Sequence, residues 1–171
     1  MKPGTHRIGF GFDVHRFATD GRHLILGGVD IAGHSGLEGH SDADVLSHAT
    51  TDALLGAAGL GDMGEHFPDT DVRWQGANSL ELLGAAAELV RESGWLVENV
   101  DCTVVLDQPK IAPHKKAMEK RLSAVVHAPV NVKASRAEGL GAIGRLEGAA
   151  CYAVALLVAD ATTDPPPEDR P

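Results

Sequence analysis

Ile8, Phe10 and Phe12 alternate with glycine and polar positions, a period of two that predicts a strand ending near Asp13. His23 to Ile31 carries apolar residues on either side of Gly27-Gly28, the pattern of a hairpin. Gly33 to His40 is glycine-rich and polar and reads as a loop. Ser41 then opens a helix, with Asp44 three residues on as a capping-box partner and Val45, Leu46, Ala49, Ala53 and Leu54 as the apolar face. Gly56 to Asp71 reads as a long loop. Asn78 and Glu81 cap a second helix, whose stripe is Leu82, Leu83, Ala86, Leu89 and Val90 and whose end is Gly94. Val100, Cys102, Val104 and Leu106 alternate as a strand, Pro109 to Pro113 breaks it, and Met118, Leu122 and Val125 mark a third helix. Val130 to Ser135 is a further strand, and Arg136 to Arg145 a second glycine-bearing loop. Leu146 to Asp160 is largely apolar, and periodicity leaves strand and helix both open there.

Strands alternating with helices predict one α/β or α+β domain over residues 5–160. Residues 161–171 are rich in proline and acid and are expected to be disordered. A length of 171 residues is enough to bury a core, and with only 4% aromatics that core must be aliphatic and alanine-rich. The net charge of −9 argues against binding a nucleic-acid backbone. No apolar run reaches the roughly 18 residues of a membrane span. The start, Met1-Lys2-Pro3-Gly4, lacks the apolar stretch of a signal peptide, and Cys102 and Cys151 sit in apolar segments as buried reduced thiols would. A cytoplasmic setting is expected.

Histidine is the informative excess: nine in the chain, six of them from His15 to His66. Asp13 and His15 are two apart on the first strand, so both side chains point to one face. Alone, the pair describes a solvated strand end as well as a ligand pair. His40, Asp44 and His48 are spaced four apart along one face of the expected helix. Together, Asp13, His15 and His48 form an O,N,N set suited to zinc with an open fourth position. His40, at the expected helix start, would meet an anion at free backbone N–H groups. Asp62 and Asp69 are either solvated loop carboxylates or acceptors for substrate hydroxyls. Glu138 could hold a hard divalent cation together with phosphate oxygens, and Lys133, Arg136 and Arg145 could touch phosphates. His66 and His114 read as surface residues, and His6, His23, His34 and His127 have no evident partner.

The segments GFGFDVH (9–15), GHSDAD (39–44), DALLGAAGLGD (52–62), FPDTD (67–71), Pro109-Lys110, NVKA (131–134) and GRLEG (144–148) occur in an order that resembles the 2-C-methyl-D-erythritol 2,4-cyclodiphosphate synthases of the non-mevalonate isoprenoid pathway. The resemblance spans about residues 7–159. It implies a fold of α/β (α+β) type, a mixed β-sheet with helices packed on one face, forming trimers with active sites shared between subunits. It implies a metal-dependent cyclase, a lyase, acting on 4-diphosphocytidyl-2-C-methyl-D-erythritol 2-phosphate and releasing CMP.

By matching position, Asp13, His15 and His48 would hold zinc, and Glu138 a second ion, magnesium or manganese. His40, Asp62 and Glu138 would serve catalysis. His40 and Ser41 would meet phosphate. Asp62 and Asp69 would bind the erythritol portion, and Gly64 would touch the substrate. Leu106, Lys110, Ile111 and Ala112 would form the cytidine pocket, and Ser135, Arg136 and Arg145 would contact phosphates. The chain departs from the family at Ser135-Arg136-Ala137, where threonines are usual, at Leu146, where glycine is common, and at Ala142, where an aromatic is common. Two other readings use the same residues: a zinc-dependent phosphohydrolase, and a non-enzymatic trimer that binds an isoprenoid diphosphate around Arg145 and Glu147.

Overall fold

The structure, a computed structural model, describes residues 5–162. From residue 163 the expected disordered tail lies outside the described residues. Four strands, β1 (His6–Arg16), β4 (Trp95–Val105), β5 (Val130–Ser135) and β6 (Gly148–Ala159), form one sheet in the order β1-β6-β4-β5. β6 runs antiparallel to both neighbours and β4 parallel to β5, so the sheet is mixed. β2 (His23–Leu26) and β3 (Val29–Ser35) make a separate hairpin around Gly27-Gly28. The helices α1 (Val45–Ala58), α3 (Ser79–Glu92) and α4 (Lys115–Val126) pack on one face. α2 (Met63–His66) and α5 (Gly141–Gly144) are single turns. The core is aliphatic, as composition requires, and Cys102 and Cys151 are both buried free thiols within it.

The strand that periodicity finds in β1 is turned the unusual way round. Gly9 and Gly11 face the core, while Ile8 and Phe10 are 74% and 62% exposed. The reason is close packing of helix on strand. A Cβ on Gly9 would collide with the Ala53 carbonyl oxygen, and one on Gly11 with that of Ala49, so α1 lies directly on the strand backbone. The outer face then collects Ile8, Phe10, Phe12, Val14, Tyr152 and Val154, with the Phe12 and Tyr152 rings 5.0 Å apart.

Several expectations change: the expected loop 56–71 contains the end of α1 and the turn α2, that at 136–145 the turn α5, and β3 runs into the expected loop 33–40. The segment after Leu146 is a strand: Cys151, Ala153, Ala155 and Leu157 point inward, and both edges are paired. The first helix begins at Val45, not at Ser41, because Ala43 adopts a positive φ of 57° and Asp44 is the cap. The fully buried Asp44 carboxylate accepts from Leu46 N (3.1 Å), Ser47 N (3.3 Å) and Ser47 Oγ (2.8 Å), and also from Gly27 N (2.8 Å) and Gly28 N (2.7 Å). One side chain therefore ties the hairpin turn to the helix start. Burial pushes its carboxyl pKa upward, against the pull of those donors.

Candidate active site

The helix-facing positions of β1 run Gly9, Gly11, Asp13, His15, so the glycines that admit α1 continue directly into the polar pair. His48 is on the first turn of α1, directly above that pair. Asp13 Oδ2 lies 3.0 Å from His15 Nε2 and 3.0 Å from His48 Nδ1, and the two ring nitrogens are 3.4 Å apart. Three donor atoms of O,N,N type thus converge on one point, and they are the one such group among the described residues. Burial opposes charge on Asp13, but the two imidazoles outweigh it and hold the carboxyl well below the usual range. Burial likewise disfavours an imidazolium at His15, and Asp13 overcomes that to raise its pKa. The chemistry of this set fits zinc, with the fourth position left to a ligand.

The far side of His48 is held as well. Its Nε2 is 2.9 Å from Ser79 Oγ and 3.1 Å from Ser41 Oγ. Ser79 Oγ in turn donates to Asp42 Oδ1, and Ser79 N donates to Asp42 Oδ2 at 3.1 Å. A cleft of about 550 Å³ opens beside the set. His40, Ser41, Gly64 and Asp69 line it, so the structure brings these expected residues together with Asp13, His15 and His48.

Others are arranged differently. His40 stands outside the helix, its Nε2 3.2 Å from the Asp71 carbonyl oxygen, and the first N–H groups of α1 belong to Asp44. The expected His40–Asp44–His48 helix face is therefore not formed, and the Leu46 and Ser47 N–H groups at that helix start are taken by Asp44. Asp62 caps α2, accepting from Glu65 N at 3.0 Å, and is not among the cleft-lining residues. His23 does have a partner, Asp30, at 2.7 Å, and His66 Nε2 reaches the Leu60 carbonyl at 2.7 Å.

The remaining expected residues sit elsewhere. Strand registers place Val14, Ala150, Val105 and Ser135 in one row across the sheet. The ends of β1 and β5 are thus level but three strand spacings apart, roughly 14 Å. Ser135, Arg136 and the exposed Glu138 belong to the far edge, with Leu106, Lys110, Ile111 and Ala112 following the adjacent β4. Arg145 pairs with Glu147 at 2.6 Å just ahead of β6, where the Glu147 carbonyl accepts from Phe17 N at 2.9 Å. Within one chain this second group does not meet the Asp13 set.

Three cleft features escaped the sequence reading. Asp52 is half-buried and lines the cleft, accepts from Met63 N at 2.8 Å, and has its pKa raised by burial. Its spacing of four from His48 was the available signal. Trp74 also lines the cleft, its ring 5.3 Å from Phe67. Ser79 carried no sequence signal, because its role depends on how α3 lies against α1.

The YgbB family model matches residues 6–158 of this chain. The 2-C-methyl-D-erythritol 2,4-cyclodiphosphate synthase of Synechocystis sp. is 54% identical over 155 residues, which covers 89% of this chain and 96% of the relative. Among solved structures, the bifunctional IspDF from Campylobacter jejuni superposes with a TM-score of 0.86 at 46% identity over 90% of this chain, which spans only 42% of that protein. The Plasmodium falciparum IspF–CDP complex gives a TM-score of 0.79 at 32% identity, covering 92% of this chain and 99% of that one.

Proposed function

The chain belongs to the YgbB family, and from that membership we propose how its two groups of residues carry out the family's reaction. The enzyme is a 2,4-cyclodiphosphate-forming lyase of the non-mevalonate pathway, with 4-diphosphocytidyl-2-C-methyl-D-erythritol 2-phosphate as substrate. An oxygen of the 2-phosphate bonds to the β-phosphorus. The bond from that phosphorus to the bridging oxygen breaks, and CMP leaves with the bridging oxygen. No water is consumed and no side-chain nucleophile is needed.

The observation that carries the residue assignment is the convergence of Asp13, His15 and His48 at the mouth of a cleft. These three hold zinc, and Glu138 holds magnesium or manganese. When bound, the two ions supply Lewis-acid charge that lets the phosphates approach each other. The rest is positioning. His40 and Ser41 meet phosphate oxygens. Asp62 and Asp69 receive the erythritol hydroxyls, and Gly64 touches the substrate. Leu106, Lys110, Ile111 and Ala112 hold the cytidine, and Ser135, Arg136 and Arg145 the diphosphate. Folding one flexible substrate into attack geometry is worth about 7–11 kcal/mol in favourable cases.

The reading includes a homotrimer with shared sites. Two observations support it. The metal set and the Glu138 group lie at opposite edges of the sheet, so a neighbouring chain must bring one to the other. The outer face of β1 and β6 exposes a contiguous run of large apolar side chains. A cytoplasmic setting accords with the two buried free thiols. No helix among the described residues is long and apolar enough to cross a membrane.

The test is turnover of the purified protein in ¹⁸O-labelled water. Stoichiometric CMP with an unlabelled cyclic diphosphate is expected. Label in the product phosphate would establish hydrolysis instead, and no CMP at all would remove the reading.

A further inference from the structure

Asp107 lies two residues beyond the end of β4, and its side chain is only 6% exposed. Its Oδ1 accepts from both Nε and Nη2 of Arg136, each at 3.3 Å, and its Oδ2 accepts from the Ala137 amide at 3.0 Å. Beside it, Leu106 N donates to the Ser135 carbonyl at 3.1 Å. The turn that leaves β5 is therefore fastened to the end of β4 at three points, two of them on one buried carboxylate. Arg136 itself is 59% exposed, and Nη1 has no hydrogen-bond partner among the described residues. It lines a cleft of about 360 Å³ together with His34, Lys110 and His114.

A long arginine on an exposed turn would ordinarily lose rotamer freedom each time it gripped a ligand. Here one edge of the guanidinium is already fixed, and the other is free to donate into the cleft. The carboxylate gains equally. A buried negative charge next to an anionic ligand repels it unless a counter-ion stands between them. We propose that Asp107 is a positioning residue that aims Arg136 at the diphosphate of a bound cytidine nucleotide, while Arg136 shields that ligand from the Asp107 charge. This inference rests on the cyclase reading above.

The two roles predict an unusual coupling. Arg136→Ala removes the donor and also bares the carboxylate, so it does double harm. Asp107→Asn alone frees the arginine to wander. In the double variant the bare charge is gone. CDP titrated by calorimetry into the metal-supplemented protein reads all four forms without relying on turnover. We expect Arg136→Ala to weaken CDP at least tenfold and Asp107→Asn about threefold. The double variant should bind several-fold more tightly than Arg136→Ala alone. Arg136→Lys keeps the charge but lacks the planar edge that sits on Asp107, and should also weaken CDP several-fold. Additive single effects, or Arg136→Lys equal to the parent, would overturn the inference while leaving the cyclase reading intact. A parent protein that binds no CDP would overturn both.

Discussion

His48 Nε2 lies 2.9 Å from the Ser79 hydroxyl, and that hydroxyl donates its proton to Asp42. Ser79 has a single proton to give, so towards His48 it can only accept. The imidazole therefore carries a proton on Nε2, and Nδ1, 3.0 Å from Asp13 Oδ2, is the nitrogen that a metal would take in place of a proton. A serine on α3 thus selects the histidine tautomer that a metal needs.

Ser79→Ala is expected to keep the fold and lower zinc affinity about 10–100-fold, the usual cost of losing such a support. Chelator competition measures it, and Ser79→Thr should restore most of the loss. Unchanged affinity would mean that Ser41 alone orients the ring.

His48→Ala removes one of the three proposed ligands and should abolish both zinc binding and turnover. The same site gives a pH signature. In the metal-free protein the folded His15 pKa is raised above its ordinary 6.5. The ion pair with Asp13 therefore stabilises the metal-free fold fully below 6.5 and ceases to do so as pH rises through the raised value. Zinc needs the neutral ring, so its affinity should climb across that same window. Metal binding that ignores pH there would count against His15 as a ligand.

Glu138→Gln is expected to retain zinc, since the Asp13 set is at the other edge of the sheet. It should lose most of its response to added magnesium or manganese, because an amide is a poor ligand for a hard cation. A metal titration identical to the parent's would exclude Glu138 as a ligand.

Leu146 occupies a position where the resembling family commonly has glycine, and it adopts φ 62°. A left-handed backbone costs a non-glycine residue roughly 1–2 kcal/mol, and glycine's greater freedom when unfolded returns part of that. Leu146→Gly should therefore stabilise the protein by about 0.5–1 kcal/mol in urea unfolding. A destabilised variant would show that the half-exposed leucine side chain has a packing role.

The chain wrote its strands and helices legibly, but not which way they face. Alternation identified β1, yet a reader who places large apolar residues in the core puts Phe10 inside and Gly11 outside, the reverse of the packing. Only the approach of α1, set by tertiary contact, decides it. The spacing-of-four rule erred for a related reason. It extended a helix back to Ser41 across Ala43, whose positive φ ends any such periodicity. Within the true helix the rule works, and it points from His48 forward to Asp52. The Asp13–His15 pair was legible because both residues share one strand face. The separation of Glu138 from that pair was not, since strand order across a sheet leaves no local trace in sequence.

That separation also decides how damage is inherited. In the trimer proposed here, each chain lends one edge to one active site and its other edge to a second. A His48→Ala chain still offers a sound Glu138 edge, and a Glu138→Gln chain a sound His48 edge. Neither variant works alone. Mixed at random in equal amounts, they bring two sound edges together at roughly a quarter of the subunit boundaries. Two defective alleles expressed in one cell would then complement each other, and the unit of function is the boundary between chains, not the gene product.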